Sequence, residues 1–512
     1  ATAAQILASR ADILDRNNRV LATNIETHSL YAHPRQIIDP EGTARQLAEI
    51  FPDINVEKMA ARLAGPQEFL WLKPAISPEE KQAVHDIGEP GLLFGPREVR
   101  LYPNGQLAGH ILGGTTFGAQ GVHSAEVIGI AGVEKAFDTF LRDPRFDGQP
   151  LQLSIDVTVQ SALEEALYGG MRLMNAKGAS AVLMDAHNGE IVSLASLPDF
   201  DPNNRPRPLT KGDASDSALF NRAVQGVYEL GSAFKAFTVA QAMDLGLVEP
   251  GSMVDTKGPL RWGKHKINDY RDYGAQLPVE KVLIKSSNIG TARLSLMIGS
   301  EFQKDFLDRL GLLTSTPIEV IEGPTGRPQY PSNWSDISTM TISYGHGIST
   351  SPVHLAAGYA AIVNGGTLVK PTVLKQPTAP LGARIITPKT SRQLRSMMRR
   401  VVTEGTARMG DVPGYSVAGK TGTADKPSPD GGYYKDKVLA TFASFFPSTD
   451  PRYVLIVTLD EPEDRTGPEP RRTAGATAVP VAAEVIRRVA PLLGLAPEIE
   501  PPLQNGLTLA NN

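Results

Sequence analysis

The 512-residue sequence contains no cysteine, which excludes disulfides, thiolate catalysis and cysteine-based zinc sites. No apolar run reaches the ~20 residues that a membrane-spanning helix needs, and the first residues, ATAAQILASRADILDRN, hold no signal peptide. The nine histidines show no H-E-x-x-H spacing, so neither a metal nor another cofactor is expected. Charge is nearly balanced, with 51 Lys and Arg against 55 Asp and Glu. No basic patch interleaved with aromatics stands out along the chain, and nucleic acid is not an expected partner.

What is present is a chain too long for one core, so two or three domains are expected. Residues 1–150 are broken often by Gly and Pro. Short β-like runs stand at 13–14, 20–21 and 29–32, helix-like runs at 43–50 and 55–64, and a Gly-rich loop at 110–121. The alternation in GQPLQLSID (148–156) predicts a strand, followed by an amphipathic helix. ASAVLMDAHNGEIVSLAS (179–196) predicts a hairpin turning at His187–Gly189. Helical patterns cover 232–248 and 301–313. Strands return at YSVAGKT, 438–446 and 453–461, and a last helix precedes the tail PEIEPPLQNGLTLANN. This pattern predicts a mixed α/β domain with an antiparallel sheet over about 151–495, an N-terminal module over 1–150 and a loose tail over 496–512.

The stretch GYSVAGKTGTADK (414–426) carries two motifs on one lysine. GYSVAGKT fits the nucleotide phosphate loop G-x-x-x-x-G-K-[ST], which needs a strand before it and a helix after it. RMGDVP before it is no strand, and GTADKPSPDGG after it cannot be a helix. A second near-match, GPLRWGKH, fails in the same way. The other motif is K-T-G, which works with S-x-x-K and S-x-N in serine acyl-transfer enzymes. Ser232-Ala-Phe-Lys235, Ser286-Ser287-Asn288 and Lys420-Thr421-Gly422-Thr423 each occur once and in that order.

The spacing has a chemical reason. Residues three apart share a helix face, so Lys235 sits one turn from Ser232. A serine hydroxyl is a weak nucleophile until a neighbour takes its proton. A lysine can do so if burial or a nearby cation lowers its pKa; Phe234, Ala236 and Phe237 offer the apolar surround, and Lys420 the second cation. The helix N-terminus would aim N–H groups at a developing oxyanion. Alone, Ser232 reads as a helix cap, Lys235 as a solvated charge, Ser286 and Asn288 as caps, and Lys420 and Thr423 as an ordinary strand and turn. Together they read as a nucleophile, its base, a proton shuttle at Ser286, an amide contact at Asn288, and an edge strand whose charge and hydroxyls read a peptide carboxylate. His346, between Gly345 and Gly347 in YGHG and next to Tyr344, is a candidate cleft-wall residue. The loop 425–437 is expected to be mobile and to rim the cleft.

On these motifs the chain resembles the penicillin-binding proteins, and more narrowly their class B, cell-division-type D,D-transpeptidases. RADILDRNNRVLATNI, IAGVEKAFDTFL, AVLMDAHNGEIVSLASLPDFDPN and SYGHGISTSPVHLAAGYAAIVNGG are similar to family segments. Leu230 replaces a common Pro, and Ala11 and Asn18 replace two glycines of the N-terminal motif, which puts that module's turn geometry in question. The resemblance implies a transpeptidase domain built on a central five-stranded antiparallel sheet, with an elongated, dimerisation-like N-terminal pedestal. It implies acylation of Ser232 by a D-Ala-D-Ala stem peptide, Lys235 as base, and an oxyanion hole from the backbone N–H groups of Ser232 and Thr423. Ser286 and Asn288 would form one wall, with Lys420, Thr421, Gly422 and Thr423 on the other. Donor and acceptor stem peptides, β-lactams, a membrane-embedded lipid II glycosyltransferase and other division proteins are the implied partners. The implied location is the periplasmic face of the inner membrane, anchored by a helix upstream of this chain. A β-lactamase, a D,D-carboxypeptidase and a β-lactam sensor or scaffold are the alternatives.

Overall fold

The structure is a computed structural model, and it describes residues 9–120, 125–146, 148–378, 382–428 and 431–498. The N-terminal module is built on a sheet whose longest strand, Val20–Ala32, pairs with Leu70–Ile76 on one side and Leu92–Leu101 on the other. The two short runs expected at 20–21 and 29–32 are thus the ends of one strand. The stretch 110–121 is not an open loop. A helical turn, Gly109–Leu112, leads into Gly114–Gln120, which pairs with Ala125–Ala131.

RADILDRNNR clamps this module to the larger, C-terminal domain. Arg19 reaches Asp15 and Asp156, and Arg16 reaches Glu190. Ile13–Leu14 pairs in parallel with Leu151–Gln152, the only strand residues within 148–156. Asn18 takes the glycine-like position at φ 63°. Asn tolerates this left-handed backbone far better than most residues, so the turn survives the loss of glycine.

The larger domain starts with α1 (Val157–Leu173), capped by Asp156, which accepts from the N–H groups of Thr158 and Val159. Strands β1 (Gly178–Asp185) and β2 (Ile191–Leu197) form the expected hairpin. The helical pattern at 232–248 resolves into a 3-10 turn, Gly231–Phe234, and helix α2 (Lys235–Asp244). A small hairpin of β3 (Leu260–Trp262) and β4 (His265–Ile267) comes next. Then come α3 (Val279–Lys285), α4 (Asn288–Ile298), α5 (Asp336–Ser343), α6 (Pro352–Val363) and α7 (Pro388–Thr403). The chain closes with β5 (Ala418–Pro427), β6 (Tyr433–Phe446), β7 (Tyr453–Asp460) and α8 (Ala478–Leu492).

The sheet order is β5-β6-β7-β1-β2, antiparallel throughout. Every residue of β2 and β7 is buried, as expected of strands covered on both faces. Helices α1 and α8 pack against each other and the sheet, while α6 packs on β7 and β1. β5 is an edge. It begins at Ala418, so Tyr415–Val417, which look like strand residues, are the coil leading into it; Ser416 has φ 41°. The expected loop at 425–437 is instead the tip of the β5–β6 hairpin, paired as far as Pro427 with Tyr433; residues 429–430 lie outside the described set. No helix among the described residues is long and apolar enough to cross a membrane.

Candidate active site

Three backbone segments cross at the N-terminus of α2. A Cβ on Gly422 would lie 2.1 Å from the Leu230 carbonyl oxygen, and one on Gly345 would lie 2.0 Å from that of Gly231. Neither position has room for a side chain, so K-T-G and Y-G-H are pressed against the turn that carries Ser232. The segment leading into this turn is held too: Tyr228 and Thr350 exchange N–H···O bonds of 3.0 Å. The buried Tyr359 hydroxyl donates to the Ala233 carbonyl at 2.7 Å.

Ser232 does not cap the helix, and its hydroxyl makes no hydrogen bond among the described residues; the helix is entered through Leu230 without a side-chain cap. In a 3-10 turn, residues i and i+3 eclipse, which stacks Lys235 directly below Ser232. Lys235 is fully buried. Its amine contacts the Ser286 carbonyl at 2.5 Å, Ser286 Oγ at 3.1 Å and Asn288 Oδ1 at 2.7 Å. Lys420, equally buried, projects from β5 and donates to the same Ser286 Oγ at 2.9 Å. One hydroxyl therefore joins two lysines from opposite walls.

Burial and then the Lys420 charge hold the Lys235 amine well below the ordinary lysine value, with Asp269 opposing them. Burial lowers Lys420 to about 7. Both shifts come from the cost of charging an amine away from water.

Ser286 ends α3 in the left-handed conformation, φ 63° and ψ 46°. For a non-glycine residue that costs roughly 1–3 kcal/mol and is found where surrounding structure enforces it. The helix cap next door is Ser287, whose Oγ accepts from the Gly290 N–H. The carboxylate of Asp269, which no motif marks, fixes this corner: it accepts from Ser287 Oγ at 2.7 Å, Asn288 N at 2.5 Å and Ile289 N at 3.0 Å. Asn288 is held at both ends, since its Nδ2 donates to the Asn268 carbonyl at 3.0 Å.

On the β5 wall the Thr421 hydroxyl lies 2.7 Å from that of Thr406, and Thr423 Oγ1 accepts from the Ala474 N–H. At the rim, the His346 ring lies between those of Tyr344 and Tyr433, 5.4 and 6.3 Å away. Glu229 accepts from the Gly347 N–H at 2.7 Å and from the Tyr433 hydroxyl at 3.0 Å. It thereby ties the hairpin tip to the turn beside Ser232. Burial and then Glu229 push the Tyr433 phenol up to about 12. Asp269, Ser287, Glu229 and Tyr433 carry no spacing signature; only the adjacency of Glu229 and Ser287 to the motifs hints at them.

The penicillin binding protein transpeptidase domain matches residues 179–487, more than half of the chain. The chain belongs to the penicillin-binding protein transpeptidase family. The penicillin-binding protein dimerisation domain matches residues 5–144. Similar relatives include the probable peptidoglycan D,D-transpeptidase FtsI of Caulobacter vibrioides, 36% identical over 96% of this chain and 82% of that protein. The peptidoglycan D,D-transpeptidase FtsI of Escherichia coli K12 is 29% identical over 96% and 85%. A crystal structure of penicillin-binding protein 3 from Mycobacterium tuberculosis, complexed with aztreonam, superposes with a TM-score of 0.71 at 26% identity, covering 97% of this chain and 98% of that one.

Proposed function

We propose that this penicillin-binding protein is a serine-type peptidoglycan D,D-transpeptidase acting through an acyl-enzyme on Ser232. The observation that carries the residue assignment is the Lys235–Ser286–Lys420 relay: two buried lysines, both with lowered basicity, meet on one hydroxyl beside an unengaged serine. A neutral Lys235 takes the Ser232 proton as Oγ attacks the penultimate D-Ala carbonyl. The oxyanion forms against the backbone N–H groups of Ser232 and Thr423, which the close approach of Gly231 to Thr423 brings together. Collapse expels the terminal D-Ala, whose amine receives the proton through Ser286. The amine of a second stem peptide then attacks the ester, and Ser232 recovers its proton. Asn288 positions Lys235 and contacts the substrate amide, while Lys420, Thr421, Gly422 and Thr423 hold the donor peptide along the β5 edge. Tyr344, Gly345 and His346 form the outer wall.

In the same reading residues 1–150 form a non-catalytic pedestal, 151–495 the transpeptidase domain and 496–512 a tail. The enzyme stands at the periplasmic face of the inner membrane and works with a lipid II glycosyltransferase and other division proteins. A β-lactamase reading is less well supported. It needs a carboxylate to activate water, and the nearby Asp269 is occupied with α4.

Intact-mass measurement with a β-lactam tests the proposal. A stable adduct that disappears in Ser232→Ala and forms at least about 100-fold more slowly in Lys235→Met supports it. No adduct, or an adduct retained in Ser232→Ala, refutes it, and rapid loss of the adduct favours the lactamase.

A further inference from the structure

Thr406 belongs to none of the three motifs. It stands 15 residues before Thr421 and just past the end of α7, an ordinary polar residue by sequence. The fold puts it where the two walls of the cleft meet. A Cβ on Gly405 would lie 2.6 Å from the carbonyl oxygen of Ile284, in the last turn of α3 before Ser286. A Cβ on Gly475 would lie 2.6 Å from the Thr406 carbonyl oxygen. Thr406 thus has the Ser286 corner on one side and the stretch carrying Ala474 on the other, with Thr421 Oγ1 2.7 Å from its own hydroxyl.

Ion pairs between α3 and α7 hold this position. Glu404 pairs with Arg400 and with Lys281 of α3, both at 2.8 Å, and Arg400 also reaches Glu280 of α3 at 2.7 Å. Arg400 first and Lys281 next keep the Glu404 carboxyl down at about 2. The network therefore stays charged at any pH at which the enzyme folds, and the residue two places after Glu404 inherits a fixed backbone.

Thr421 and Thr423 lie on the same face of β5, because side chains alternate along a strand. Thr423 Oγ1 accepts from the buried Ala474 N–H at 2.9 Å, which leaves the Thr423 proton free for a ligand. Thr421 is buried, and the Thr406 hydroxyl is the only partner of its Oγ1 among the described residues. A hydroxyl has one proton to give and can accept as well, so only one of these two threonines donates in their contact. Thr406 is exposed, and its hydroxyl has no other protein partner among the described residues. When Thr406 donates, the Thr421 proton is released toward the cleft. Two hydroxyls in series polarise each other, and a bond to an ionised acceptor is the stronger kind.

We propose that Thr406 is a positioning residue for the terminal carboxylate of the donor peptide: it donates to Thr421, and Thr421 donates to the carboxylate beside Thr423 and Lys420. This rests on the transpeptidase reading above and adds to its carboxylate-binding end a residue that no motif marks. Thr406 acts on the substrate only through Thr421. Without its hydroxyl, Thr421 loses the donor that sets its proton, and carboxylate-bearing ligands are held less well while others are unaffected.

Second-order rates of Ser232 acylation, read by intact mass, test this with two probes: penicillin G, which carries a free carboxylate, and its methyl ester, in which that carboxylate is masked. Thr406→Val removes the hydroxyl at nearly constant shape, and Thr406→Ser keeps it. The valine variant should react about 5–10-fold more slowly with penicillin G and at the parent rate with the ester. The serine variant should recover most of the penicillin G rate. In Thr406→Val/Thr421→Val the loss should be no greater than in Thr421→Val alone, because the first residue works through the second. An equal loss with both probes, or an unchanged penicillin G rate in Thr406→Val, overturns the proposal. So do a serine variant as slow as the valine one and additive losses in the double variant, a comparison that does not require the ester to react. Absence of any penicillin G adduct on the parent enzyme refutes the transpeptidase reading instead.

Discussion

Asp269→Asn separates the electrostatic role of this carboxylate from its geometric one. Asn can keep the two backbone bonds from Asn288 and Ile289 through its remaining oxygen. Its amide then faces Ser287 Oγ, which already accepts from Gly290 and lies fully buried. The serine proton loses its acceptor, at about 1–3 kcal/mol for a buried unsatisfied donor. Removing a negative charge from the first turn of α4 adds about 0.3–1 kcal/mol. The sum, about 1.3–4 kcal/mol, lowers Tm by about 2–6 °C for a domain of this size. The kinetic effect has an independent sign. Asp269 raises the Lys235 pKa against burial and Lys420, so removing the charge leaves the amine neutral at lower pH. The acid limb of Ser232 acylation, followed with a fluorescent penicillin from pH 5 to 9, should move to lower pH while Tm falls. An acid limb that stays in place or moves upward would sink the assignment of Lys235 as the base.

Lys420 is lowered to about 7 in the fold against an ordinary value of 10.5, so between these values the unfolded chain binds the extra proton. Stability from this group should therefore rise with pH from about 7 to about 10.5. In denaturant titrations Lys420→Met should flatten that slope without abolishing it, because Lys235 acts with the same sign. Glu229→Gln and Tyr433→Phe should each slow penicillin acylation, and the double variant should be no slower than the worse single; strict additivity would show that the contact between them is idle. In the N-terminal module Glu134 lies between Arg10 and Arg100, all three buried. Glu134→Ala leaves the buried Arg100 guanidinium without a carboxylate and Arg10 with Asp138 alone, and should destabilise the module by about 3–5 kcal/mol. Circular dichroism melts would show this as an earlier transition, with Ser232 acylation retained at low temperature.

The chemistry was legible in the chain because it is short-range. Ser232 and Lys235 lie on one turn, Ser286 and Asn288 on one helix junction and Lys420 to Thr423 on one strand, so each pair's spacing is set by local geometry. The hairpin at 179–196 was readable for the same reason. The stretches misread were those whose state depends on a distant partner. Gly114–Gln120 is a strand because Ala125–Ala131 pairs with it. Only the tertiary structure could bring Lys420 to the hydroxyl that Lys235 touches, because Lys420 stands 134 residues beyond Ser286 in the chain. It alone also brings Asp269, which no motif marks, to Ser287, Asn288 and Ile289 at the start of α4. Charge order along a chain does not determine which charges remain unpaired once it folds.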